Sequence, residues 1–126
     1  MLAGNEMVGT IAVKDLATAR KFYEGTLGLK VEDDKGTEAH TYRSAGTRLI
    51  VYRSQFAGTN KATALNFMVG AEIDNLVKGL RERGVKFEHY DMPGVSWQGD
   101  VMVAGPMKVA WFKDPDGNIL CLMNGG

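Results

Sequence analysis

The sequence predicts an α+β protein of two tandem βαβββ modules whose sheets curl into a cup-shaped ligand cavity. Three observations lead there. A strand–helix–strand segment occurs twice in the same order. A glycine closes each helix at the same offset. A two-stranded hairpin pattern ends each half.

The elements follow in order. Val8-Gly9-Thr10-Ile11-Ala12-Val13 alternates and reads as a strand. Asp15 is placed to cap the next helix, its carboxylate accepting from the first free N–H groups. Leu16, Ala19, Phe22, Tyr23 and Thr26 recur at helical spacing, and Gly28 stands where a left-handed cap residue belongs. Leu29 to Glu32 starts a second strand. His40 to Arg43, a turn around Gly46, and Arg48 to Tyr52 form a hairpin.

The second half repeats this. Ala64 to Val69 is strand-like, and Ile73, Leu76, Val77 and Leu80 define an amphipathic helix that Gly84 ends. Val85 to Glu88 starts the next strand. Val109 to Phe112, a turn over Asp114-Pro115-Asp116-Gly117-Asn118, and Ile119 to Leu122 close the half. Ile11 and Phe67, Val13 and Val69, and Gly28 and Gly84 each stand 56 residues apart. In the hairpins Tyr42 pairs with Phe112 and Leu49 with Ile119, 70 residues apart. The 14 additional residues fall in a longer loop around Asp91 to Gly105.

The modules are therefore set at about 7–54 and 62–124 of a single 126-residue domain, joined by a linker at about 55–61. Each module has one sheet face under its helix and one bare, and two bare faces side by side would enclose a small molecule. Fifteen basic and fifteen acidic residues balance, so nucleic-acid binding has no electrostatic support. One cysteine, Cys121, precludes an internal disulfide. Met1 to Val8 lacks the features of a secretory signal, and no run of ~18 apolar residues occurs. The expectation is a cytoplasmic protein with no membrane and no nucleic-acid partner.

Val13-Lys14-Asp15-Leu16, Phe22-Tyr23-Glu24, Leu27-Gly28-Leu29 and the Asp114-Pro115-Asp116-Gly117-Asn118 turn together carry a resemblance. In them the chain resembles the vicinal oxygen chelate superfamily, the fold shared by glyoxalase I, bleomycin-resistance proteins and extradiol dioxygenases. The likeness spans nearly the whole chain. It implies homodimers, and in metal-dependent members a His, Gln or Glu at the start of the first strand and the end of the last strand of each module. Carried over, those positions are Val8, Val51, Ala64 and Cys121. One thiolate is not a metal site. No metal and no cofactor are expected, and the resemblance then points to the metal-free, ligand-sequestering branch.

The same mapping gives the cup lining. Alternation aims Thr10, Ala12, Leu49, Val51, Asn66, Met68, Ile119 and Cys121 inward. That lining is apolar with two small polar handles, which suits a hydrophobic or aromatic small molecule. The 91–105 loop adds Trp97 and Met102, either as a ligand-facing lid or as a plain hairpin that packs Trp97 into the protein. Thr10, Leu49, Val51, Asn66, Met68, Trp97, Met102 and Cys121 are thus the candidate ligand contacts.

No residue is assigned a catalytic role. His89 has Asp91 two residues along to orient it, but the plainer reading is an exposed strand end. His40 is read as a surface histidine. Cys121 lies mid-strand in an apolar run, where cysteine packs as a small hydrophobe. The function expected is metal-independent binding or sequestration of a small molecule. The alternative is a metal-dependent lyase, isomerase or dioxygenase with a relocated site built from His40, His89, Asp91 or Cys121.

Overall fold

A computed structural model describes residues 1–125. The chain divides into two compact units, Met1–Thr59 and from Asn60 onward. Each is a mixed α+β unit with its own sheet and helix.

The first unit runs β1 (Gly9–Val13), α1 (Leu16–Arg20), β2 (Lys30–Asp33), β3 (Ala39–Ser44) and β4 (Thr47–Arg53). Its sheet has the order β1-β4-β3-β2. β1 is parallel to β4 and the other pairs are antiparallel. Asp15 caps α1 as expected, accepting from the Ala17 N–H at 3.2 Å and the Thr18 hydroxyl at 2.7 Å. The helix does not stay α-helical to Thr26: Lys21–Thr26 widens into a π-helical turn, in which the Leu27 N–H reaches back to the Phe22 carbonyl. The wider turn sets both Tyr23 and Glu24 against β3, where Tyr23 stacks on Tyr42 and Glu24 accepts from the Tyr42 hydroxyl at 3.0 Å. Gly28 then takes φ +74°, the left-handed conformation that ends the helix.

The second unit runs β5 (Thr63–Met68), a 3-10 turn (Gly70–Glu72), α2 (Ile73–Glu82), β6 (Phe87–Glu88), β7 (Ser96–Gln98), β8 (Val101–Ala104), β9 (Met107–Lys113) and β10 (Ile119–Met123). Its sheet has the order β5-β10-β9-β8-β7, with β6 on the Trp111–Phe112 end of β9. Gly84, φ +91°, ends α2 as its counterpart ends α1, and the Val85 N–H bonds back to the Leu80 carbonyl. The 91–105 segment is not an irregular lid: it contains the β7–β8 hairpin.

Each sheet buries the face that meets its helix. In the first unit this face carries Ile11, Val13, Tyr42, Leu49 and Val51, packed with Leu16, Ala19 and Tyr23. In the second it carries Ala110, Phe112, Leu120 and Leu122, with Ile73 and Val77 buried on α2. The Lys108–Asp74 ion pair, 3.0 Å, marks that face as the α2 side. Burying each of the Ile, Leu, Val and Phe side chains among them contributes about 1.5–3 kcal/mol. Among the described residues, no helix is long and apolar enough to cross a membrane.

Candidate functional site: the helix-free face of the second sheet

Turn length decides which side chains leave the helix face. In the first unit Tyr42 pairs with Leu49 across the β3–β4 turn, seven residues apart. In the second unit Phe112 pairs with Leu120, eight apart, so the connection through the Asp114–Asn118 turn is one residue longer. A one-residue change of register sends every following side chain to the opposite face. The structural counterpart of Cys121 is therefore Ile50, and that of Val51 is Leu122.

The reading of Leu49 and Val51 as ligand-facing is corrected by this register. Leu49 is 7% exposed and Val51 is 0% exposed, both on the helix side with Tyr42 and His40. Thr10 is exposed on the opposite face, beside Ile50. His40 is not a surface residue either: it is buried against the edge of Tyr42, and its Nδ1 has no hydrogen-bond partner among the described residues.

The second unit brings the remaining candidates together. Asn66 lies beside Cys121, and Cys121 faces Trp111 across the β9–β10 ladder. Met68 lies beside Met123, Met123 faces Val109, Val109 faces Met102, and Met102 faces Trp97. Paired residues share a face, so Asn66, Met68, Trp97, Met102 and Cys121 all stand on the side away from α2. Met102, Val109 and Cys121 form its buried floor. Val95, Trp97, Ala104, Met107, Trp111 and Met123 pack over that floor, half-buried. Met68 and Asn66 are exposed at the β5 edge.

Aromatic rings dominate the upper part of this face. Trp97 and Trp111 stand with ring centroids 6.4 Å apart, tilted by 52°. Tyr90 meets Trp111 edge-on at 5.3 Å, and its buried hydroxyl has no hydrogen-bond partner among the described residues. Desolvation foremost pushes that phenol's pKa up. His89 lies flat on Trp97, centroids 4.2 Å apart and planes 5° from parallel. The carboxylate that orients His89 is Asp100, at 2.8 Å from Nε2, and not the sequence neighbour Asp91. The hydrogen bond from His89, and then that from Arg81, hold the Asp100 carboxyl below its usual range.

Sequence reasoning missed Trp111, Met107 and Met123 as members of the site, and Asp100 as the partner of His89. Alternation back from Cys121 through the longer turn would have found Trp111. The Asp100 contact depends on the hairpin fold and had no local signal.

The donor chemistry does not suit a metal. With register corrected, the positions at which the resemblance implies metal ligands are Val8, Ile50, Ala64 and Cys121, of which three offer hydrocarbon only. Burial pushes the Cys121 thiol up to about 11, so it stays protonated at neutral pH. Among the described residues, no group of three His, Cys, Asp or Glu side chains is placed to hold an ion.

Comparison with known proteins places this architecture. The model of the glyoxalase/bleomycin resistance protein/dioxygenase superfamily matches residues 6–122, and the chain belongs to that superfamily. No curated protein sequence matches it. Among solved structures it is similar to a glyoxalase family protein from Enterococcus faecalis, with TM-score 0.73, 20% identity, and 98% of this chain and 99% of that one covered. It is also similar to the fosfomycin resistance protein FosX from Listeria monocytogenes, with TM-score 0.69, 17% identity, and 100% and 94% covered. A variant of FosX solved with Mn(II) and a dihydroxypropylphosphonic acid matches at TM-score 0.73, 18% identity, and 100% and 93% covered. At these identities the likeness is one of fold.

Proposed function

We propose that this chain binds a hydrophobic or aromatic small molecule without a metal, holding it by sequestration on the helix-free face of the second sheet. One observation carries the reading: Trp97 and Trp111 converge at 6.4 Å above a floor of Met102, Val109 and Cys121, on the sheet face away from α2. Indole rings offer large flat apolar area with little rotamer freedom to lose. Thioethers adapt to irregular shapes. The Asn66 carboxamide is an uncharged polar handle at the edge. Glu88, which faces Trp111 in the β6–β9 ladder, is paired with Lys113 at 3.4 Å, so the face favours a neutral ligand over a phosphonate.

The test uses N-phenyl-1-naphthylamine, a neutral planar fluorescent probe. Its emission should rise on binding, with energy transfer from the two tryptophans, and phenylphosphonate should not displace it. Trp97→Ala and Trp111→Ala should each weaken binding by about tenfold or more, in the range of an aromatic anchor. Unchanged affinity in both variants would remove the proposed site.

A further inference from the structure

Trp97 comes from a weakly anchored element. β7 has only three residues at the sheet edge, and its flanking Ser96 and Gln98 are exposed. Short edge hairpins are the parts of a sheet that open most readily. An indole there would lose rotational freedom on meeting a ligand, which weakens binding by up to about tenfold per side chain ordered.

A chain of contacts opposes this. Asp100 sits in the turn of the hairpin and uses both carboxylate oxygens. Oδ2 accepts from Arg81 at 3.1 Å and 2.7 Å, and Oδ1 accepts from the His89 Nε2–H at 2.8 Å. An ionised carboxylate only accepts, so the proton lies on Nε2 and the imidazole is fixed in its own plane. That imidazole covers one side of Trp97 at 4.2 Å. Arg81 belongs to the last turn of α2, so the chain runs from a regular helix to the indole.

We infer that Arg81, Asp100 and His89 are positioning residues that hold the Trp97 ring at a fixed angle, leaving its other side for a planar ligand. This rests on the reading of the face given above. It adds a division of labour: Trp97 and Trp111 touch the ligand, and the Arg81–Asp100–His89 chain sets the angle between them.

The experiment combines two readouts. The sequence has two tryptophans, so Trp111→Phe leaves Trp97 as the sole tryptophan, and fluorescence anisotropy excited selectively at the indole then reports its local freedom. Asp100→Ala and His89→Ala should each lower that anisotropy and, with Trp111 present, weaken N-phenyl-1-naphthylamine binding about tenfold. Neither should weaken binding further once Trp97→Ala is in place, since residues acting through one group are not additive. Asp100→Asn, which keeps an acceptor for His89 but loses the charge facing Arg81, should fall between and serves where Asp100→Ala fails to fold. Unchanged anisotropy with unchanged affinity overturns the inference. So does an equal loss of binding in the Trp97→Ala background. If Trp97→Ala and Trp111→Ala both leave binding intact, the proposed site falls, and the anisotropy alone decides whether the chain orients Trp97.

Discussion

Cys121 stands beside Asn66 in the parallel ladder of the second sheet, and at the equivalent place in the first sheet Thr10 stands beside Ile50. The neighbours define which faces the two modules leave free of helix. They also put a buried thiol, 2% exposed, at the centre of the proposed binding surface.

The thiol gives a pH prediction. Burial raises its pKa from the ordinary 9.0 to about 11. Between those values the unfolded chain loses a proton that the folded chain keeps, so alkali favours unfolding. The contribution is complete below pH 9.0 and is lost as pH rises through about 11. Urea melts at pH 7, 9 and 11 should show a steeper alkaline decline in the native sequence than in Cys121→Val. Parallel declines would show that the thiol is not desolvated. At pH 7.5 a thiol reagent should react only after denaturant is added.

Asp114 supports the turn that sets the register of β10. Its carboxylate accepts from the Asp116 N–H at 2.9 Å, the Asn118 N–H at 2.8 Å and the Asn118 Nδ2 at 2.8 Å. Asp114 and Asn118 are both buried. Asp114→Ala leaves those donors without their acceptor, and a cost of about 2–4 kcal/mol is expected. A lower urea midpoint with unchanged m-value would show it. A change under 0.5 kcal/mol would mean the backbone alone holds the turn.

Tyr42 joins packing and hydrogen bonding in one side chain. It is 1% exposed, stacks on Tyr23, and donates to Glu24, which also pairs with Arg20 at 2.8 Å. Tyr42→Phe keeps the ring and should cost about 1 kcal/mol. Tyr42→Ala should cost about 3–5 kcal/mol. Equal losses in thermal melts would indicate that the hydrogen bond, and not the ring, anchors β3 to the helix.

Val8, Ile50 and Ala64 carry no metal donor, so metal loading should fail. After incubation with zinc, nickel, manganese or iron(II) and desalting, elemental analysis should find far less than one ion per chain. Stoichiometric retention would show that other residues hold an ion, and His89, Asp100 and Cys121 would be the first residues to replace.

Much of the fold was legible because it rests on local rules. Asp15 caps because a short carboxylate reaches the first free N–H groups, and Gly28 and Gly84 end helices because only glycine takes positive φ without cost. Helix spacing and strand alternation located both modules. The candidate site was legible in part. Asn66, Met68, Trp97, Met102 and Cys121 share a face, whereas Leu49 and Val51 lie on the helix side of the first sheet. The repeat offset of 70 holds for Tyr42 and Phe112 and fails after the turns, where Leu49 corresponds to Leu120. The π-helical turn, the burial of His40 and the Asp100–His89 contact all depend on tertiary packing, which spacing in the sequence does not encode.

The longer turn has a meaning for how such a duplicated protein diversifies. Adding or removing one residue there acts as a parity change: it exchanges, in a single event, the whole set of side chains that meets the helix for the set that meets solvent or ligand. Substitutions explore one position at a time, whereas turn length rewrites a strand. The two halves can therefore descend from one module and still present unrelated chemistry at their open faces. Turn-length variants of Asp114–Asn118, compensated along Ile119–Met123, would be a direct route to new ligand preferences on this scaffold.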